Sequence, residues 1–159
     1  MSNELAVEIK TNRFFLIVII MSFIALVASY SAEYIFQKIP CQLCNLERLP
    51  YFGMLIIGMI GLSAFDKKAP LIILLGICAI SLILGAYHYG VQQNIFKDFC
   101  KGSAVSTIED YRNMLNSPTC SKVSFSIFGI PATLINFFIS LSFILMTSLR
   151  IYDYRKKLI

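Results

Sequence analysis

The chain has no tryptophan, one histidine, and charged residues at only 14% of its 159 positions. Soluble domains carry about 25% charged residues, so this chain is short of the charge needed to coat a water-facing surface. A Gly-rich phosphate loop, a close carboxylate pair and a Ser-His-Asp order are also missing, so nothing points to phosphate-cradling, paired-carboxylate or triad chemistry. No stripe interleaves basic with aromatic residues, and nucleic acid is therefore not an expected partner. The net charge of +5 comes largely from Arg150, Arg155, Lys156 and Lys157 at the C-terminus. A basic tail of this kind suits a membrane surface.

Apolar sequence is what the chain has in quantity, with 57% hydrophobic residues. Four runs carry no charge: Phe14–Ala32, Leu49–Phe65, Ala69–Phe96 and Val123–Leu149. A hydrocarbon core about 30 Å thick needs roughly 20 helical residues. The second run sits at the lower limit, and the third is long enough for its end, from about Tyr87, to emerge into the interface. Buried helices of a soluble protein are a poor alternative, because too little polar sequence remains to cover four of them. The expected fold is an all-α integral membrane protein, a four-helix transmembrane bundle forming one domain over 1–159. Its spans are expected near 14–36, 46–65, 69–90 and 123–149, with outer loops near 37–45 and 91–122. Lys10 and Arg13 before the first run, and Ser29-Tyr30-Ser31 at its end, also fit a cleaved signal peptide. Its uncharged core of 19 residues exceeds the roughly 7–15 of a signal-peptide apolar region, so it is read as a span.

Four spans put both termini on one side, together with the Asp66-Lys67-Lys68 turn. That side carries Lys10, Arg13, Lys67, Lys68 and the four tail cations, eight in all, against Lys38, Arg48, Lys97, Lys101, Arg112 and Lys122 opposite. The eight are packed into far fewer residues, and the positive-inside rule makes the termini cytoplasmic. Four of the five cysteines then lie on the outer face. Cys41 and Cys44 form a CxxC after the first span, and Cys100 and Cys120 lie in the long polar loop between the third and fourth. In a bacterium that face is the periplasm, where disulfides persist.

The local sequence is Pro40-Cys41-Gln42-Leu43-Cys44-Asn45-Leu46-Glu47-Arg48-Leu49-Pro50. A helix starting near Pro40 puts Cys41 and Cys44 on one face, with Arg48 one turn beyond Cys44. Unpaired N–H groups at a helix N-terminus stabilise a thiolate, and a nearby guanidinium adds to this. A snorkelling charge at the membrane boundary is the competing reading of Arg48. Pro50 removes one internal hydrogen bond just below the site. In the second outer loop, Ser106-Thr107-Ile108-Glu109 fits a capping box, and Ala104, Ile108, Tyr111 and Leu115 follow helical spacing. These predict a short amphipathic interfacial helix in the second periplasmic loop. Cys78, inside the third run, reads as a small buried hydrophobe. Aromatic residues of the fourth run (Phe125, Phe128, Phe137, Phe138, Phe143) read as packing.

CxxC followed by Glu47-Arg48 at the start of a second span, with a cysteine pair in the second outer loop, resembles the DsbB family of disulfide-generating membrane proteins. Tyr87-His88-Tyr89-Gly90-Val91 before Cys100, and the stretch from Cys120 through Phe128-Gly129-Ile130-Pro131 to Asn136, resemble the same family. The resemblance covers essentially the whole chain. It implies a thiol:quinone oxidoreductase of the bacterial inner membrane that reoxidises a DsbA-like periplasmic thioredoxin-fold oxidase. On that pattern Cys100 and Cys120 are paired at rest, and Cys100 forms the mixed disulfide with the partner. Cys120 then attacks Cys41, and Cys44 is released as the thiolate that reduces a bound quinone (ubiquinone or menaquinone). Arg48 would hold the quinone, and His88 would lie near its ring. A DsbA-type partner sits near about −120 mV and structural disulfides below about −300 mV, so a strong acceptor is required.

Two other readings use the same residues. Cys41, Cys44, Cys100 and Cys120 could hold zinc, with His88 in support, but the 19 residues between Cys100 and Cys120 do not suit a second metal knuckle. Alternatively the loop disulfides only staple the structure. No charged residue lies mid-span, which removes the usual mark of a transport path. A reductase of the vitamin K epoxide type carries its CxxC late in the chain, unlike this sequence.

Overall fold

The computed structural model describes residues 2–37, 40–98, 120–121, 126–127 and 129–158. Four long helices account for nearly all of them: α1 (Ser2–Tyr34), α2 (Gln42–Ser63), α3 (Lys68–Gln92) and α4 (Ala132–Leu158). Each is long and apolar enough to cross a membrane. The expected four-helix membrane architecture is the observed one. Most of each helix surface is exposed apolar side chain, for example Ile17, Phe23, Ile56, Ile73, Ile83 and Leu145. In water such a surface would be untenable, whereas lipid solvates it at no cost.

The core is a narrow seam of Phe14, Phe15, Val18, Met54, Leu71, Leu74, Cys78 and Phe143. Cys78 lies fully buried among them as a free thiol, the packing role expected of it. Close approach of α1 to α2 depends on missing side chains. A Cβ on Gly58 would sit 2.7 Å from Ile19, and one on Gly61 would overlap the Phe15 ring. Small residues at such crossings let dispersion between backbones hold helices together in lipid, where no hydrophobic drive separates helix from solvent. Polar pairs add to this inside the bundle: Ser81 Oγ and Ser140 Oγ are 2.8 Å apart, and Tyr51 Oη donates to Asn136 Oδ1 at 2.6 Å.

Sequential neighbours pack along their length, α1 on α2, α2 on α3 and α3 on α4, whereas α1 and α4 barely touch. The bundle is therefore open along the α1–α4 seam. At one end, Lys67 is buried and donates to the carbonyls of Gly61 and Leu62 at 2.9 and 3.0 Å. These are last-turn carbonyls of α2, which an ammonium satisfies both by hydrogen bonding and by opposing the helix dipole. Tyr154 Oη donates to Asp66 there, so the end of α4 and the turn after α2 share one end of the bundle. Cys41, His88 and Cys120 occupy the other.

The helix boundaries differ most from the expected spans at the start of α1 and at both ends of α4, which runs on to Leu158. α1 runs back to Ser2, because Lys10 and Arg13 can sit on a helix that continues beyond the apolar stretch. α4 starts at Ala132 rather than near 123. Ahead of it, Ser126–Ile127 (β1) pairs antiparallel with Ile130–Pro131 (β2), and Gly129 makes the turn at φ +81°, a backbone region open mainly to glycine. Pro131 precedes the first helical residue, and its ring disfavours helical geometry in the residue before it. The amphipathic helix expected near 104–115, together with Cys100, Phe125 and Phe128, lies outside the described residues.

Candidate active site

Cys41 is the N-cap of α2, extended at φ −76° and ψ 169°, with its sulfur accepting the backbone N–H of Cys44 at 3.3 Å. The helix thus begins at Gln42, two residues later than Pro40 suggested, and Cys41 takes the anion-binding position at its end. Cys44 follows within the first turn, and the two sulfurs are 2.8 Å apart. The Cys41 thiol is held below the ordinary thiol range. Hydrogen bonding from the Cys44 side chain contributes most, burial opposes it, and the Cys44 backbone N–H adds to the lowering. A thiolate is thus favoured at Cys41, at the helix end where orphan N–H groups converge.

His88 reaches the same point from α3. It is fully buried, with Nε2 3.7 Å from Cys41 Sγ and Nδ1 2.9 Å from Glu47 Oε1. Cys41 Sγ, Cys44 Sγ and a His88 ring nitrogen all lie within 4.8 Å of one another. Glu47, three residues past Cys44 on α2, orients the imidazole.

The two cysteines border one cluster, against whose edge Cys44 packs, but they differ in what else they meet. Cys41 shares a small buried cluster with Leu43, Val91 and Cys120. Cys120 is disulfide-bonded, and the N–H of Ser121 donates to Asp98 Oδ2 at 3.2 Å, which fastens this loop beside the end of α3. Cys44, but not Cys41, lines a cavity of about 300 Å³ between α1, α2, α4 and the end of α3. Its wall is mostly apolar, with Ala25, Leu26, Ile135 and Ile139, and its polar lining residues include Glu33, Glu47, Arg48, Tyr51, His88 and Asn136. A second apolar groove of about 510 Å³ runs down the open α1–α4 seam and shares Met21, Ile135 and Ile139 with the cavity. Of the fourth-run aromatics, Phe138 and Phe143 border this groove, and none of the described ones lines the cavity beside Cys44.

Arg48 lines the cavity too, but its guanidinium is engaged by α1. Nη1 pairs with Glu33 at 2.6 Å, Nε donates to Ser29 Oγ at 2.8 Å, and the group lies 4.6 Å from the centre of the Tyr30 ring. A buried arginine with three partners is fixed, unlike a snorkelling one. Asn136 has the opposite character. It is 93% buried, at 7% exposure, its oxygen accepts from Tyr51, and its Nδ2 has no partner among the described residues. Sequence reading missed Ser29, Glu33, Tyr51 and Asn136 as site residues. The available signal was a carboxylate just past an uncharged run and an asparagine inside another, each costly in lipid unless partnered.

Comparisons with known proteins point to one family. The family model described as "Disulfide bond formation protein DsbB" matches residues 11–149. A Rickettsia prowazekii protein named only as uncharacterized is 31% identical over 148 residues, 86% of each chain. The SPbeta prophage-derived disulfide bond formation protein B of Bacillus subtilis is 30% identical over 127 residues, 77% of this chain and 85% of that protein. A probable disulfide formation protein of Oceanobacillus iheyensis is 26% identical over 125 residues, covering 74% and 85%. No solved structure matches. With a family match over most of the chain and four helices able to span a bilayer, this protein belongs to the DsbB family of disulfide bond formation membrane proteins.

Proposed function

We propose that the protein takes electrons from a periplasmic thioredoxin-fold thiol oxidase and delivers them to a membrane quinone, with both termini in the cytoplasm. One observation carries this reading: Cys41 is buried in one cluster with Cys120, while Cys44, at the edge of that cluster, also lines a mostly apolar cavity that shares residues with the α1–α4 groove. A relay between a water-side protein and a lipid-side acceptor needs this division.

The partner's two thiols reduce the Cys100–Cys120 disulfide by exchange and leave as a disulfide. The Cys120 thiolate attacks Cys41 of a Cys41–Cys44 disulfide, which forms a Cys41–Cys120 bond and expels Cys44 as a thiolate. Cys100 then attacks Cys120, restoring the outer disulfide and freeing Cys41. Two electrons now reside on Cys41 and Cys44. Attack on Cys41 rather than Cys44 follows from burial beside Cys120, and its lowered thiol range makes Cys41 a good leaving group when Cys100 closes.

The cavity suits a quinone head group. About 300 Å³ lies at the small end of ligand pockets, and the apolar groove down the α1–α4 seam continues from it toward lipid, where an isoprenoid tail would lie. Asn136 lines the same space; its Nδ2 is unpaired among the described residues and packs toward Gly85 of α3, so a turn of the amide would bring a buried donor to a carbonyl oxygen. Arg48, held by Glu33 and Ser29, presents positive charge to the same space without having to be ordered on binding. A bound quinone accepts two electrons and two protons and leaves as the quinol. His88, hydrogen-bonded to Glu47, stands at the cavity wall as a proton-carrying group beside the dithiol.

The test is turnover by the purified chain, supplied with a reduced thioredoxin-fold oxidase and a short-chain quinone and followed by quinone absorbance. Quinone reduction that stops in Cys44→Ser supports the reading. Equal reduction with and without the protein refutes it and leaves the disulfides as structural staples.

A further inference from the structure

We propose that the reduced protein holds a soft divalent cation, Zn²⁺ by chemical class, on Cys41, Cys44 and His88, and that this ion reversibly arrests the dithiol. The site is distinct from a zinc knuckle built on all four outer cysteines, because it needs neither Cys100 nor Cys120.

The ligand set and its placement carry the inference. Thiolate and imidazole are the ligands zinc prefers, and a CxxC at a helix start is the usual half of a zinc site. With Zn–S near 2.3 Å and Zn–N near 2.0–2.1 Å, a tetrahedral ion holds sulfur and nitrogen about 3.6 Å apart. Cys41 Sγ and His88 Nε2 are 3.7 Å apart. The two sulfurs, now at 2.8 Å, must open to about 3.8 Å around the same ion, a shift that rotation of the Cys41 side chain at a non-helical N-cap supplies.

Glu47 is an independent pointer. A metal-bound histidine nearly always donates its other ring N–H to a carboxylate or carbonyl, which fixes the tautomer and aims the free nitrogen. Here His88 Nδ1 is 2.9 Å from Glu47 Oε1 and Nε2 is the nitrogen facing the sulfurs. Charge also balances, since a dication, two thiolates and a neutral imidazole sum to zero, which an apolar surrounding tolerates. Binding displaces the two thiol protons to solvent, forms two Zn–S bonds and one Zn–N bond, and involves no change of oxidation state. A fourth position, for water, stays open toward the cavity lined by Cys44. While zinc is bound, both sulfurs share electron density with the cation and are poorer nucleophiles, which slows exchange and electron donation.

Metal binding stands on these residues alone; only arrest of turnover rests on the proposed exchange reaction. The test uses full-length Cys100→Ser/Cys120→Ser protein in detergent, reduced and anaerobic, titrated with Co²⁺ and then Zn²⁺. Expected are one Co²⁺ per chain, thiolate-to-cobalt charge-transfer absorption with the visible bands of tetrahedral cobalt, and displacement by Zn²⁺. Glu47→Gln keeps every ligand and should weaken binding by about 10-fold, with His88→Ala weaker still. Oxidation of the CxxC to a disulfide should abolish the bands. Absence of binding by the reduced protein, bands that survive in Cys41→Ser/Cys44→Ser, or unchanged affinity in both His88→Ala and Glu47→Gln would each overturn the site. In the unsubstituted protein, Zn²⁺ should slow disulfide-forming turnover and a chelator restore it. Turnover indifferent to Zn²⁺ while Co²⁺ binds overturns the arrest. If no turnover is found with any acceptor, the function proposal fails and the binding titration still decides the site.

Discussion

Arg48→Met separates what the guanidinium does for the fold from what it does for a ligand. The side chain is about nine-tenths buried and pairs with Glu33 at 2.6 Å, so removing it strands a carboxylate against an apolar wall. Breaking a fully buried pair by deleting one partner costs about 3–5 kcal/mol. Glu33 keeps 26% of its side-chain exposure and can turn partly toward water, which lowers the expected loss to about 2 kcal/mol. That is a shift of about 30-fold in the folding equilibrium. Arg48→Met/Glu33→Gln removes the stranded charge and should recover most of the stability, because an apolar replacement of an entire buried pair is close to neutral. Unfolding in mixed micelles by increasing denaturing detergent reads the stability, and quinone titration of the refolded protein reads the affinity. The double variant should unfold like the parent yet still bind quinone more weakly. An Arg48→Met protein as stable as the parent, or a double variant less stable than either single one, would refute the latch between α1 and α2.

Other outcomes follow from the same geometry. Asn136→Leu should raise the apparent KM for quinone by about 10-fold, the worth of one buried hydrogen bond, and leave exchange with the soluble partner unchanged; equal effects on both would show a general packing defect. The pH profile of Cys41 alkylation should lie below that of an ordinary thiol, and Cys44→Ala should move it upward, since the Cys44 side chain is the largest cause of the lowering; a profile unmoved by Cys44→Ala contradicts that cause. Gly61→Leu should cost about 1–3 kcal/mol by overpacking, because Phe15 fills the space its side chain would need; detergent unfolding unchanged from the parent would show that α1 and α2 are not held this closely. Cys78→Ala should leave turnover within the error of measurement, and loss of turnover in a folded variant would assign that thiol a part in the chemistry.

The four membrane helices were legible because the bilayer imposes a length and an apolar composition that few other environments demand. The CxxC with Arg48 one turn on was legible for a similar reason, since i, i+3 and i, i+4 spacing fixes a helix face. What each side chain meets across the bundle was not legible. Arg48 lies on a predictable face, yet its partners Ser29, Tyr30 and Glu33 belong to a helix separated from it by a loop. His88 was expected to lie near a ligand. The structure adds its bridge between Glu47 and Cys41, which depends on the rotation of α3 against α2. The start of α4 was placed too early because residues 123–131 are uncharged, and composition does not register a hairpin turned by one glycine at positive φ.

Division of labour between Cys41 and Cys44 is tested most directly by disulfide mapping in Cys44→Ser protein. With its usual partner gone, Cys41 should be captured by the residue it is buried beside, and mass spectrometry of the non-reduced digest should find a Cys41–Cys120 bridge. The matching Cys41→Ser protein should contain no Cys44–Cys120 bridge. A Cys44–Cys120 bond in the second variant, or no Cys41–Cys120 bond in the first, would contradict the relay.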